Sequence, residues 1–145
     1  MSKGRFITTD QVEREQLPFG GLAWLSRPAT TGARDLVVID VELLPGQGHN
    51  FHKHPDQEEV LYLVSGRVEQ WLERESRILK PGDAIFINKG VVHASFNTSK
   101  EPARFLAILG PSVGDAGYVS VEVGGEEPWS TLRAHEGHEG VTKGA

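Results

Sequence analysis

The strongest constraint on how this chain can fold is an alternation of period two. In DLVVIDVELL, residues 35–44, Val37, Ile39, Val41 and Leu43 share one parity, and Asp40 and Glu42 hold the other. Successive side chains of a strand point to opposite faces, so the four apolar residues line one face and the acids the other. GYVSVEV, residues 117–123, repeats the pattern, with Val119, Val121 and Val123 opposed by Ser120 and Glu122. Between them lie short apolar runs, VLYLV, RVEQWL, AIFI, VVHASF and RFLAIL, punctuated at Pro45-Gly46, Gly66, Pro81-Gly82, Gly90 and Gly110-Pro111. Short strands with regular turn signals predict an all-β sandwich or barrel. No convincing amphipathic helix is visible. TTDQVEREQL is expected to form one or two helical turns at most, capped by Thr9 or Asp10.

The chain of 145 residues is the size of one domain. Three segments are expected. Residues 1–35 mix short apolar pieces with turn residues and form an arm that wraps the barrel or a partner chain. Residues 36–123 form the barrel. Residues 124–145 are rich in Gly and Glu and read as a largely flexible tail, from which Trp129 alone is expected to dock on the body. No cysteine is present, which excludes disulfides, thiolate metal sites and a Cys nucleophile, and fits the cytoplasm. The formal net charge of −5, without a basic block, argues against nucleic acid as a partner. No apolar run approaches the roughly 18 residues of a membrane span, and the N-terminus lacks a signal-peptide core.

Function is read from GHNFHKHPDQEEVLYLVSG, residues 48–66. On a strand His52 and His54 point to the same side while Lys53 points away. Pro55 and Asp56 are turn formers, and a returning strand would bring Glu59 near the two imidazoles. A further histidine, His93, lies in VVHASF. If these strands share a barrel wall, three imidazoles and a carboxylate meet. That donor set suits one divalent transition metal among iron, manganese, zinc, nickel and copper. Taken singly, each histidine is more often a surface or packed residue, and the Glu58-Glu59 doublet reads as a solvated turn. Their joint spacing is what favours a metal.

These residues resemble the two motifs of the cupin superfamily. Gly46, His52, His54, Glu59 and Gly66 match the pattern G-x5-H-x-H-x3,4-E-x6-G. Gly82, Gly90, His93 and Asn97 match G-x5-P-x-G-x2-H-x3-N, with Asn88 where that pattern has proline. The register selects Glu59 over Glu58, and His49 falls outside the pattern as a loop residue. The resemblance implies a small single-domain bacterial cupin, a double-stranded β-helix or jelly-roll barrel with His52, His54, Glu59 and His93 on the metal. It also implies a homodimer.

Cupins include dioxygenases, isomerases, lyases and non-enzymatic binders, so fold alone does not give function. The expected reading is a metalloenzyme acting on a small oxygen-rich substrate, by dioxygenase or Lewis-acid isomerase or lyase chemistry, with Glu59 also relaying a proton. A metal- or metabolite-binding module without turnover is the alternative. Gln70, sharing the parity of Val68 and Leu72, and Tyr62, Trp71, Phe86 and Phe96 are the candidate substrate-pocket residues. Arg67 and Arg104 are read as surface residues that an anionic substrate could recruit, and His135 and His138 as exposed tail residues.

Overall fold

The computed structural model describes residues 3–133. A single 3-10 turn, Thr9–Gln11, precedes strands β1 (Glu13–Leu17) and β2 (Gly20–Ser26), then the one-turn helix α1 (Pro28–Thr31). Eight strands follow: β3 (Val37–Leu43), β4 (Gly48–Lys53), β5 (Glu58–Ser65), β6 (Val68–Leu72), β7 (Glu75–Leu79), β8 (Ala84–Ile87), β9 (His93–Phe96) and β10 (Ala103–Gly110). The two-residue β11 (Val121–Glu122) and the one-turn α2 (Trp129–Leu132) close the described chain. Among the described residues no helix is long and apolar enough to cross a membrane.

The strands form two antiparallel sheets. The first has the order β1-β2-β3-β10-β5-β8 and the second β11-β4-β9-β6-β7. The alternation in β3 puts Val37, Ile39, Val41 and Leu43 in the core between the sheets. Each such side chain removed from water contributes about 1.5–3 kcal/mol. On β10, Ala103, Phe105, Ala107 and Leu109 face them from the paired strand.

Three sequence expectations change. The helix expected over TTDQVEREQL is confined to the 3-10 turn, with Thr8 rather than Thr9 or Asp10 in the capping position. Glu13–Leu17 pair instead with β2, where backbone partners are available from a neighbouring strand. GYVSVEV yields only β11, because the side chain of Gln57 takes the Val119 N–H that a longer ladder would use (3.2 Å). Val119 and Val121 are exposed, and only Val123 is buried. Beyond it, the chain packs on the outside of the second sheet, where Trp129 and Leu132 lie against Phe51, Trp71, Ala94, Phe96 and Val123. Trp129 stacks on Phe51, and it is joined by a charged residue: Arg133 is buried, bonds Glu69 at 2.7 Å and lies over the Phe96 ring at 3.6 Å. His135 and His138 lie outside the described residues.

Two glycines are required by close approach. Gly66 has φ of +81°, and a Cβ there would meet the Pro102 carbonyl oxygen at 2.6 Å. Gly48, which lies outside the motif, lets β4 press on β9, since a Cβ would sit 2.5 Å from Phe96. Both contacts fall below the distance two atoms can share, so neither position admits a side chain without backbone movement.

Candidate metal centre

His52 and His93 are direct partners across the β4–β9 ladder, so both rings stand on the inner face of the second sheet with centroids 4.2 Å apart. His54 lies just beyond the end of β4, its ring 5.1 Å from His52 and 5.2 Å from His93. The ligand atoms of the three histidines all lie within 4.8 Å of one another. Glu59 comes from β5 in the opposite sheet, its Oε1 3.0 Å from His93 Nε2 and 3.4 Å from His54 Nε2. All four side chains are buried, whereas Glu58 is exposed.

Each imidazole is aimed by its other nitrogen. Nδ1 of His52 lies 2.7 Å from the Asn50 carbonyl, that of His54 2.8 Å from the Val119 carbonyl, and that of His93 3.0 Å from the Val91 carbonyl. A carbonyl only accepts, so Nδ1 carries the proton and, in a neutral ring, Nε2 presents a lone pair to the centre. Glu59 Oε1 is buried there without a hydrogen-bond donor. Four acceptors facing one another in a dry space repel unless a cation or an added proton joins them. The residues therefore fit a divalent metal.

The electrostatics agree. Burial, then the neighbouring His49, His93 and His54, holds His52 well below the ordinary imidazole range, so it stays neutral. Burial opposes charge on His54 as well, but hydrogen bonding and attraction from Glu59 outweigh it and raise that ring. Burial would push the Glu59 carboxyl up, and His54 and His93 overcome this and hold it at about 2. A proton on His54 and a metal ion thus compete for one space.

Residues outside the motifs complete the site. His49 is not on a loop: it lies on β4, where a register shift between His49 and His52 puts both on the inner face. Its ring stacks on His52 at 3.5 Å, and its Nε2 is 3.1 Å from Glu122 Oε1. Gln57, 2% exposed, donates to the Pro111 and Gly117 carbonyls at 2.7 and 3.0 Å and accepts from Val119. It so fixes the carbonyl that orients His54. The bulge and the clamp leave no mark in the sequence, because both arise from pairing between distant segments. Asn97, fully buried, donates to the Leu43 and Glu101 carbonyls and holds the turn after β9.

A cavity of about 50 Å³ lies beside the four groups, between the sheets. None of the five candidate pocket residues lines it. Gln70 does face inward, but it lines a separate cavity and its Oε1 accepts from Ser95. Trp71 and Phe96 point to the outside of the second sheet, under Trp129. Tyr62 and Phe86 are exposed on the outside of the first. Arg67 is exposed, and Arg104 grips Asp40 through Nε and Nη2 at 2.6–2.9 Å, away from the site.

Two sheets closing on a histidine-lined interior describe a cupin barrel, and the comparisons agree. The cupin-domain family model matches residues 39–109. The chain is 30% identical over 107 residues to the polyketide synthase CurC of Streptomyces cyaneus, covering 74% of this chain and 70% of that one. It is 32% identical over 89 residues to the pectin degradation protein KdgF of Dickeya dadantii, covering 61% of this chain and 77% of that one. The solved structure of KdgF from Halomonas superposes with a TM-score of 0.68 at 22% identity, over 77% of this chain and 99% of that one. This chain belongs to the cupin family.

Proposed function

We propose that the protein is a metal-dependent cupin that acts on a small oxygen-rich substrate. The observation that carries this reading is the convergence of three Nε2 lone pairs and an undonated, buried Glu59 oxygen on one point. His52, His54, His93 and Glu59 would hold one iron, manganese, zinc, nickel or copper ion. Such an ion, when bound, supplies Lewis-acid polarisation of substrate oxygens, and iron or copper also opens dioxygenase-type chemistry.

The chain's own groups do the rest. Three rings, each tied to a carbonyl through Nδ1, keep Nε2 inward without reorganisation. Glu59 offsets cationic charge and, at Oε1, accepts a proton released by an enol or hydroxyl. The apolar walls keep bulk water from the reacting oxygens. CurC and KdgF, by their names, serve polyketide synthesis and pectin degradation, two settings rich in carbonyl and hydroxyl oxygen, which supports this substrate class.

The experiment is to measure metal content of the purified protein, then assay oxygen uptake and keto–enol exchange against small acids and sugars. Oxygen uptake with iron or copper marks a dioxygenase, and exchange without oxygen marks Lewis-acid isomerase or lyase chemistry. Bound metal without turnover of any compound marks a binding module. Absence of metal binding overturns the proposal.

A further inference from the structure

The walls around the four convergent groups are nearly bare of polarity. Beyond those groups, eight of the lining residues are apolar, among them Phe19, Val41, Leu61, Phe105 and Ala107. The remaining polar linings are His49, Ser95 and Tyr118. Two of these are already engaged, since Ser95 gives its hydroxyl to Gln70 at 2.6 Å and His49 is bonded to Glu122 at 3.1 Å. Among the described residues no lysine or arginine is on the wall. Arg104, a cation of the first sheet, is on its outside and bound to Asp40.

Charge and size therefore select the same kind of guest. A carboxylate or phosphate inserted between the sheets would meet Glu59 and apolar carbon with no cationic side chain to receive it, and an unpaired buried ion is the costliest group to place. A hydroxyl would have only Tyr118 among these polar linings not already engaged, so most of its hydrogen-bonding capacity would be stranded. The space between the sheets, about 50 Å³, is well below the roughly 150 Å³ of a dry cavity that takes a benzene ring. It admits a methyl or other short alkyl group and leaves any ring at the mouth.

We infer that the substrate is an enol, hydroxyketone or phenol-type oxygen chelator whose inward-pointing substituent is short, uncharged and apolar, and not a carboxylate-bearing or phosphorylated sugar. This rests on the metal-dependent reading of the same site and narrows it. It also separates the chain from what its resemblance to a pectin degradation protein would lead one to try first.

The test uses three 3-hydroxy-4-pyranones that share one chelating edge and differ at carbon 2, directly beside it, which bears methyl, hydroxymethyl or carboxylate. Zinc uptake by the full-length protein is measured first. Each probe is then titrated by calorimetry into the zinc-loaded protein and, as a reference, into zinc in buffer. Relative to that reference, the methyl probe is expected to bind the protein about tenfold more tightly than the hydroxymethyl one. It should exceed the carboxylate probe by at least about 100-fold. Zinc uptake with the carboxylate probe equal to or tighter than the methyl probe overturns this inference and leaves the metal reading standing. Failure to take up zinc or any other divalent transition metal overturns both.

Discussion

The two sheets use the same alternation to opposite ends. Inward positions of the first sheet, on β3 and β10, are apolar throughout, and Glu59 on β5 is the polar intrusion. In the second sheet the inward positions include His49, His52, His93, Ser95 and Gln70, while Phe51, Trp71, Ala94 and Phe96 point outward under the chain's later residues. The first sheet is a floor of carbon, and the second is a polar ceiling with its carbon on the far side. The difference shows how a small barrel separates stability from chemistry. The polar inner face is tolerable because its sheet is anchored from behind by a second, smaller core.

Changes that attack one side and spare the other test this division. The largest expected effect is Trp71→Ala, which empties the outer core of the second sheet and removes the indole donor (2.6 Å) that Glu69 shares with Arg133. A loss of about 3–5 kcal/mol in stability is expected, read by denaturant melts. The protein that remains folded should keep its metal affinity. Next, His93→Ala should weaken metal binding by more than about 100-fold, beyond the usual cost of losing an outer partner. Its metal-free fold should also lose stability, though less than with Trp71→Ala, because a buried ring and its hold on Glu59 and the Val91 carbonyl are removed. A metal titration alongside the melt checks both.

A smaller effect is expected from Gln57→Ala, which frees the Val119 N–H and so loosens the residue whose carbonyl aims His54. Metal affinity should fall about tenfold. An unchanged affinity in a folded variant would remove Gln57 from the account of the site. The pH dependence follows from the raised His54. Its pairing with Glu59 stabilises the metal-free fold fully below the unfolded value near 6.5 and fades as pH rises through the raised one. A metal needs the same nitrogen bare, so its affinity should rise with pH and level off above the raised value. Below it, affinity should drop about tenfold per unit for one displaced proton. Glu59→Gln removes the attraction and should move this acid limb to lower pH. The smallest stability effect, within about 0.5 kcal/mol, is expected from Phe86→Ser, since that ring is 55% exposed. If a homodimer uses this outer face, light scattering should report a smaller particle for the same variant.

Much of the fold was legible because β3 fills one face with carbon and the other with acid. The four convergent residues were legible because their spacing matches two motifs. The pocket was not. Parity states which residues share a face, but not which face is inward. VEQWL holds Val68 and Gln70 on one side and Glu69 and Trp71 on the other, and large aromatics drew the assignment toward the side that the later chain covers. The first helical segment keeps one of the one or two turns expected, with its cap at Thr8 instead of Thr9 or Asp10. The Glu13–Leu17 segment has adequate helical propensity, and pairing with β2 overrides it.

The late position of the residues behind the second sheet has a consequence for biosynthesis. A nascent chain that has emerged only through residue 110 already holds all the strands of the first sheet, and His52, His54, Glu59 and His93 besides. It still lacks Val123, Trp129 and Arg133, so Phe51 and Phe96 remain bare to water or to a chaperone until those residues leave the ribosome. The chain through residue 110 also lacks Val119, whose carbonyl aims His54, so the last of the three imidazoles is fixed only as the barrel's back closes.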